Sequence, residues 1–138
     1  MLMPSRVKYR KTHLNRSRGI SKGALELHFG DYGIRTLETA YITAAQIEAS
    51  RLTVARFMKT GGKLWIRMFP DLSVTKKPQE TRLGKGKGDP SYWVARVKKG
   101  RILMEIEGLS DADSREALRQ VSFKLPVKTK LVTRHDSI

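Results

Sequence analysis

A chain of 138 residues, 39% of them hydrophobic, is long enough to build one modest core. It carries 28 Lys and Arg against 13 Asp and Glu, a formal charge of +15, with a pI near 10.5; this imbalance opposes compaction and points to a polyanion partner, nucleic acid first. The chain has no cysteine, which excludes disulfides and thiolate metal sites, and no run nears the roughly 18 apolar residues of a membrane span.

Residues 1–23 hold Arg6, Lys8, Arg10, Lys11, Arg16, Arg18 and Lys22, with no acid and no sustained apolar period. They read as a solvated tail when free and as a basic arm that orders on RNA. No apolar segment follows, as a secretory signal requires, whereas the Arg- and Ser-rich, acid-poor composition leaves an organellar transit peptide open. A membrane surface calls for a basic amphipathic helix or a lipid anchor. Neither is evident, so no membrane partner is expected.

From Ala24 the pattern becomes regular. Leu25, Leu27 and Phe29 alternate with Glu26 and His28, the period of a half-buried strand. Gly30-Asp31-Tyr32-Gly33 is a turn signal, and Ile34 to Ile42 reads as the return strand. Thr43, with Gln46 three residues on, forms a capping-box signature, so a helix is predicted to about Lys59, ending at Gly61-Gly62. Its apolar face is Ala44, Ile47, Val54, Ala55 and Met58. Arg51 falls within that face, either paired to Glu48 or aimed at RNA. Leu64 to Phe69 reads as a strand stopped by Pro70. Tyr92–Val97 and Arg101–Glu107 read as a hairpin turning at Lys98-Lys99-Gly100. Ser110 caps a second helix, with Asp111 and Asp113 in its first turn, ending near Phe123. Val127, Thr129 and Leu131 alternate with Lys128 and Lys130 in a last strand. The order predicts an α+β domain over 24–138, two helices on a mostly antiparallel sheet.

Between the third strand and the expected hairpin lies KKPQETRLGKGKG, residues 76–88, within a basic loop taken as 76–90. Its cations are Lys76, Lys77, Arg82, Lys85 and Lys87. Gly84, Gly86 and Gly88 allow close approach of the backbone. The phosphate-binding pattern G-x-x-x-x-G-K-[ST] is not met, because Gly88 is followed by Asp89-Pro90 and a strand. A flexible cationic finger remains. If most of the twelve arm and loop cations met phosphates, affinity would fall by roughly 10³–10⁵ between 50 and 200 mM salt. No helix-turn-helix, zinc finger or basic zipper is evident, so folded RNA suits the pattern better than DNA.

Catalytic chemistry finds little support. His13, His28 and His135 lack a second ligand at metal spacing. Glu105 and Glu107 share a strand face, a pair more often solvated than catalytic. No cofactor is expected.

Several blocks match one family. They are Met1-Leu2 with Pro4 and the basic run Arg6–Lys11; Ile42-Thr43 with Gln46-Ile47-Glu48-Ala49; Gly61 to Arg67 with Phe69-Pro70; Lys77-Pro78, Glu80 and Arg82 to Gly88; Tyr92-Trp93-Val94-Ala95; Gly100 to Leu103; and Lys124 to Thr129. Over essentially its full length the chain resembles the L16 family of large-subunit ribosomal proteins, bacterial and organellar type. The resemblance implies an α/β hammerhead-type sandwich and a structural, non-enzymatic role in the large ribosomal subunit. Implied partners are large-subunit rRNA, neighbouring large-subunit proteins, and A-site and P-site tRNA near the peptidyl-transferase centre; joining late in assembly is implied as well. No homo-oligomer is expected.

The candidate rRNA-binding residues are the seven arm cations together with Arg51, Arg56, Lys59, Lys63, Arg67, Lys128 and Lys130. The candidate tRNA-proximal loop comprises Lys76, Lys77, Arg82, Gly84, Lys85, Gly86, Lys87 and Gly88. In some bacterial members the arginine matching Arg82 is hydroxylated. Leu83 replaces the family's usual Met, Ala45 a basic or small polar residue, and Glu38-Thr39-Ala40 a segment basic in some members. The expected location is the cytoplasmic ribosome, with a plastid or mitochondrial ribosome as the other setting. An RNA-modifying or RNA-cleaving enzyme and a free nucleic-acid chaperone are the competing classes.

Overall fold

The turn between Val97 and Ile102 determines the architecture. In the computed structural model, which describes residues 1–59 and 61–136, this turn leads the chain out of one sheet and into another. The elements are β1 (Tyr32–Thr36), β2 (Ala40–Thr43), α1 (Ala44–Phe57), β3 (Lys63–Ile66), β4 (Leu72–Lys76), β5 (Asp89–Val97), β6 (Ile102–Glu107), α2 (Asp111–Ser122) and β7 (Thr129–Thr133), with a short 3-10 turn at Arg134–Asp136. One sheet has the order β3-β6-β1-β7 and the other β2-β5-β4, and all pairs named are antiparallel.

The hairpin expected from Tyr92–Val97 and Arg101–Glu107 does not form. β5 pairs with β2 and β4, and β6 with β1 and β3. The segment read as one strand, Ile34 to Ile42, is divided as well, with β1 in one sheet and β2 in the other. Both corrections have one cause. Arg35 faces Ile102 and Ala40 faces Val97, so five residues forward on one segment match five back on the other. The two segments are a single antiparallel ladder bent across both sheets, as at the corners of packed sheets. Backbone bonds from Thr36 N to Arg101 O (3.0 Å) and Gly100 N to Thr36 O (2.9 Å) hold the bend. Thr36 Oγ1 closes it by accepting from Glu38 N and donating to Glu38 O. Gly100, at φ +96°, takes the left-handed conformation the corner needs.

Both helix starts follow the sequence. Thr43 Oγ1 accepts from Gln46 N at 3.2 Å and Thr43 N donates to Gln46 Oε1 at 2.9 Å, a complete capping box. Ser110 Oγ accepts from Asp113 N. α1 packs on α2 and touches β2 and β5, while α2 touches β1 and β7. α2 buries Ser114, Ala117, Leu118 and Val121, one face at helical spacing. α1 stops at Phe57, two residues before the expected end, and turns Ala55 outward; Ser50 and Thr53 are buried in its place. Their hydroxyls donate to Gln46 O and Ala49 O one turn back, which makes the burial of polar groups tolerable. The core joins Ile34, Ile42, Ile47, Val54, Leu103, Met104, Ile106 and Leu118.

Three further expectations are corrected. Residues 24–29 form no strand. β6, whose backbone lies beside them, already has β1 on one side and β3 on the other, so no ladder is open to receive them. β3 ends at Ile66 rather than Phe69. β4 (LSVTK) is a strand that sequence reading absorbed into the loop, since it has only two large apolar residues and adjoins the charged run.

Candidate nucleic-acid interface

The basic loop spans β4 and β5, and its root is set by strand pairing. Lys76 faces Asp89 and Thr75 faces Pro90, so the last residues of the expected 76–90 loop belong to β5. Gly88 fits here because a Cβ would lie 2.8 Å from the Lys76 carbonyl carbon. Beyond the root, residues 79–87 are exposed. Gly84, Lys85 and Gly86 all have positive φ (90°, 64° and 90°). Two glycines bear this without a Cβ penalty; Lys85 is held there as a non-glycine, an unusual backbone state. Lys77 Nζ donates to Gly84 O at 2.7 Å, tying the tip back to the root. Arg82 and Lys85 make no hydrogen bond or ion pair among the described residues, and Leu83 is fully exposed beside them.

The arm contains no helix, and its one strand-like contact is a parallel bridge from Ile20 to Lys99. It is nonetheless attached between Arg10 and Ser21 through its main chain. Arg10 O accepts from Ser73 Oγ (3.0 Å), Thr12 O from Lys87 Nζ (2.6 Å) and Asn15 O from the Tyr41 hydroxyl; Ser21 N donates to Lys99 O. Lys11 Nζ in turn donates to Lys87 O at 3.1 Å, and Arg10 lies 3.7 Å from Asp89. Arm and loop root thereby become one cationic surface, beside an open cleft of about 550 Å³ lined by Lys76, Lys77, Pro78, Gln79, Asp89 and Ser91. The side chains of Arg6, Lys8, Arg16, Arg18 and Lys22 stay exposed.

The other candidate cations lie apart from this surface in the chain. Arg51 forms a two-pronged pair with Glu48 (Nη2–Oε1 2.6 Å, Nε–Oε2 3.1 Å), so of its two readings the structure shows the intrahelical pair. That hydrogen bonding lowers the Glu48 carboxyl pKa and raises that of the Arg51 guanidinium. Arg56, Lys59 and Lys63 are exposed at the end of α1 and the start of β3, and Lys128 and Lys130 are exposed before and within β7.

Arg67 is turned inward, its side chain 16% exposed. It donates to Glu26 O at 2.7 Å and lies 3.8 Å from Glu105. Glu105 was expected to be solvated and is fully buried; its oxygens accept from His28 N and Phe29 N. Sequence reading could not find this cluster, because Glu105 meets partners 76 and 77 residues away. The one local signal was the alternation of Lys63 and Trp65 on β3 with Arg67 just after it. Among the described residues no group of three or more His, Asp or Glu could hold a metal, and no helix is long and apolar enough to cross a membrane.

Cations placed on segments outside a rigid two-sheet core define a basic α+β protein built for contact rather than turnover. Comparison with known proteins gives the family. A family model described as ribosomal protein L16p/L10e matches residues 4–132. The large ribosomal subunit protein uL16 of Thermosipho melanesiensis is 55% identical over 136 residues, covering 99% of this chain and 96% of that protein. The chain belongs to the ribosomal protein L16p/L10e family, whose members are structural and not enzymes.

Proposed function

We propose that the arm and the 76–88 loop bind ribosomal RNA as one surface, and that the loop tip extends from it toward transfer RNA. The chain is a structural constituent of the large ribosomal subunit, acting in translation. One observation carries the finer reading: among the described residues Arg82 and Lys85 make no hydrogen bond or ion pair, while the arm main chain and the loop root are bonded to each other. Unpaired cations on a braced support lose little freedom when a phosphate arrives, which favours binding. Arg82 offers the planar fork that grips a phosphate with two bonds, whereas Lys85 offers a point charge. A- and P-site tRNA near the peptidyl-transferase centre are the targets assigned to the tip. Late joining follows from an interface that needs folded RNA already in place.

The test is stoichiometric co-sedimentation with large subunits through increasing salt. Retention that falls by roughly 10³–10⁵ in affinity between 50 and 200 mM is expected for 6–10 phosphate contacts. Changing Arg82, Lys85 and Lys87 together to Ala is expected to leave the chain in the subunit while impairing tRNA placement. Absence from washed subunits refutes the rRNA reading; unaltered tRNA binding by the triple variant refutes the tRNA one.

A further inference from the structure

Phe29 packs against Trp65 of β3, an edge strand of the four-stranded sheet. It is 49% exposed, yet firmly fixed. Its backbone N–H and that of His28 are donated to the buried Glu105 at 3.3 and 2.7 Å. Its ring stacks on Trp65, centroids 5.9 Å apart and planes 22° from parallel. The Arg67 guanidinium carbon is 5.5 Å from the ring centroid. Trp65 shares one face of edge strand β3 with the exposed Lys63, since alternate strand residues point the same way, and Arg67 follows just beyond the strand's end, its N–H donated to Leu103 O.

A lone exposed aromatic is ordinary. An aromatic anchored by a buried carboxyl group, backed by a second ring and flanked by a guanidinium is a different object. Mobile surface rings give up freedom on binding, and this one has little to give up. The chemistry of the patch selects its occupant. A π-face beside an Arg, with a Lys further along the strand, combines the two attractions a nucleotide supplies: a flat base to stack and a phosphate to neutralise. An apolar protein anchor would meet cations it cannot satisfy, and a chain of charge +15 repels a basic neighbour.

The geometry points to Phe29 as a stacking platform for an unpaired nucleobase of ribosomal RNA, with Lys63 placed for the adjoining phosphate. This rests on the reading that ribosomal RNA holds the chain, but uses residues other than the arm and loop cations.

The test replaces Phe29 with the photoreactive analogue benzoylphenylalanine in the full chain, assembles it into large subunits and irradiates. A crosslink to an unpaired base supports the platform; a crosslink to protein only, or none, overturns it. In parallel, Phe29→Leu is expected to weaken retention roughly 5- to 150-fold, the loss of one stacked base, while Phe29→Tyr retains it and both free proteins unfold near the parental midpoint. Equal retention of the Leu and Tyr variants overturns the inference. Should the parent chain itself fail to co-sediment, the wider rRNA reading fails as well; a co-sedimenting chain without the base crosslink sinks this inference alone.

Discussion

Glu105, in the middle of β6, accepts the backbone N–H of His28 at 2.7 Å across 77 residues of chain. The bond ties a segment that has no secondary structure of its own to the most buried strand of the fold. The same carboxyl group takes Phe29 N and faces Arg67.

Glu105→Ala is therefore expected to destabilise the free protein by about 3–5 kcal/mol, because it leaves two N–H groups without an acceptor and a mostly buried guanidinium without its counter-charge. Glu105→Gln keeps one oxygen in place and is expected to cost less. Urea unfolding followed by circular dichroism measures both; equal stability of the Ala variant and the parent would remove Glu105 from its anchoring role.

Glu116 on α2 accepts from Arg119 at 2.8 and 2.9 Å and from Gln120 at 3.0 Å. The Arg119 bonds first, then that of Gln120, lower its pKa from 4.5 to about 2. A depressed acid stabilises the fold above the ordinary value and loses that contribution as pH falls from 4.5 toward 2. Glu116→Gln is expected to flatten this part of the acid-unfolding curve. The difference should shrink in 1 M salt, because the pair is exposed to solvent.

A Cβ on Gly30 would sit 2.6 Å from the Ile106 carbonyl oxygen, and backbone cannot yield as a flexible side chain can. Gly30→Ala is expected to cost about 1–3 kcal/mol. Gly84→Ala meets nothing within 4 Å and carries only the penalty of its φ of +90°, which the exposed loop can relax. Its stability change should be the smaller of the two, with its effect appearing in tRNA binding. Thermal unfolding of both variants decides the ranking.

Among the described residues Arg82 makes no hydrogen bond or ion pair, whereas Lys87 already donates to Thr12 O. Arg82→Ala is expected to impair tRNA placement or subunit maturation more than Lys87→Ala, with Lys87→Ala loosening the arm instead. Equal defects in reconstituted subunits would deny Arg82 its special place.

Local signals survived folding well. The caps at Thr43 and Ser110 depend on partners three residues away, so spacing alone revealed them. The charged finger was legible because an exposed loop needs no long-range pairing to be recognised. Partner choice was not legible. Lys98-Lys99-Gly100 suits a hairpin and a passage between sheets equally, and only the pairing of β1 with β6 and β2 with β5 separates them. Leu25 to Phe29 has a strand's alternation, but a strand also needs an unoccupied neighbour. Glu105 looked like its neighbour Glu107, and nothing nearby in sequence foretold that a distant backbone would close over it.

The arm is attached mainly through its peptide groups: the carbonyls of Arg10, Thr12 and Asn15 receive the bonds from the body. Its route is thus nearly indifferent to which side chains it carries. Such a strap can have its outward chemistry rewritten, residue by residue, without changing where it runs, so related ribosomes with different RNA around them can share one path for it.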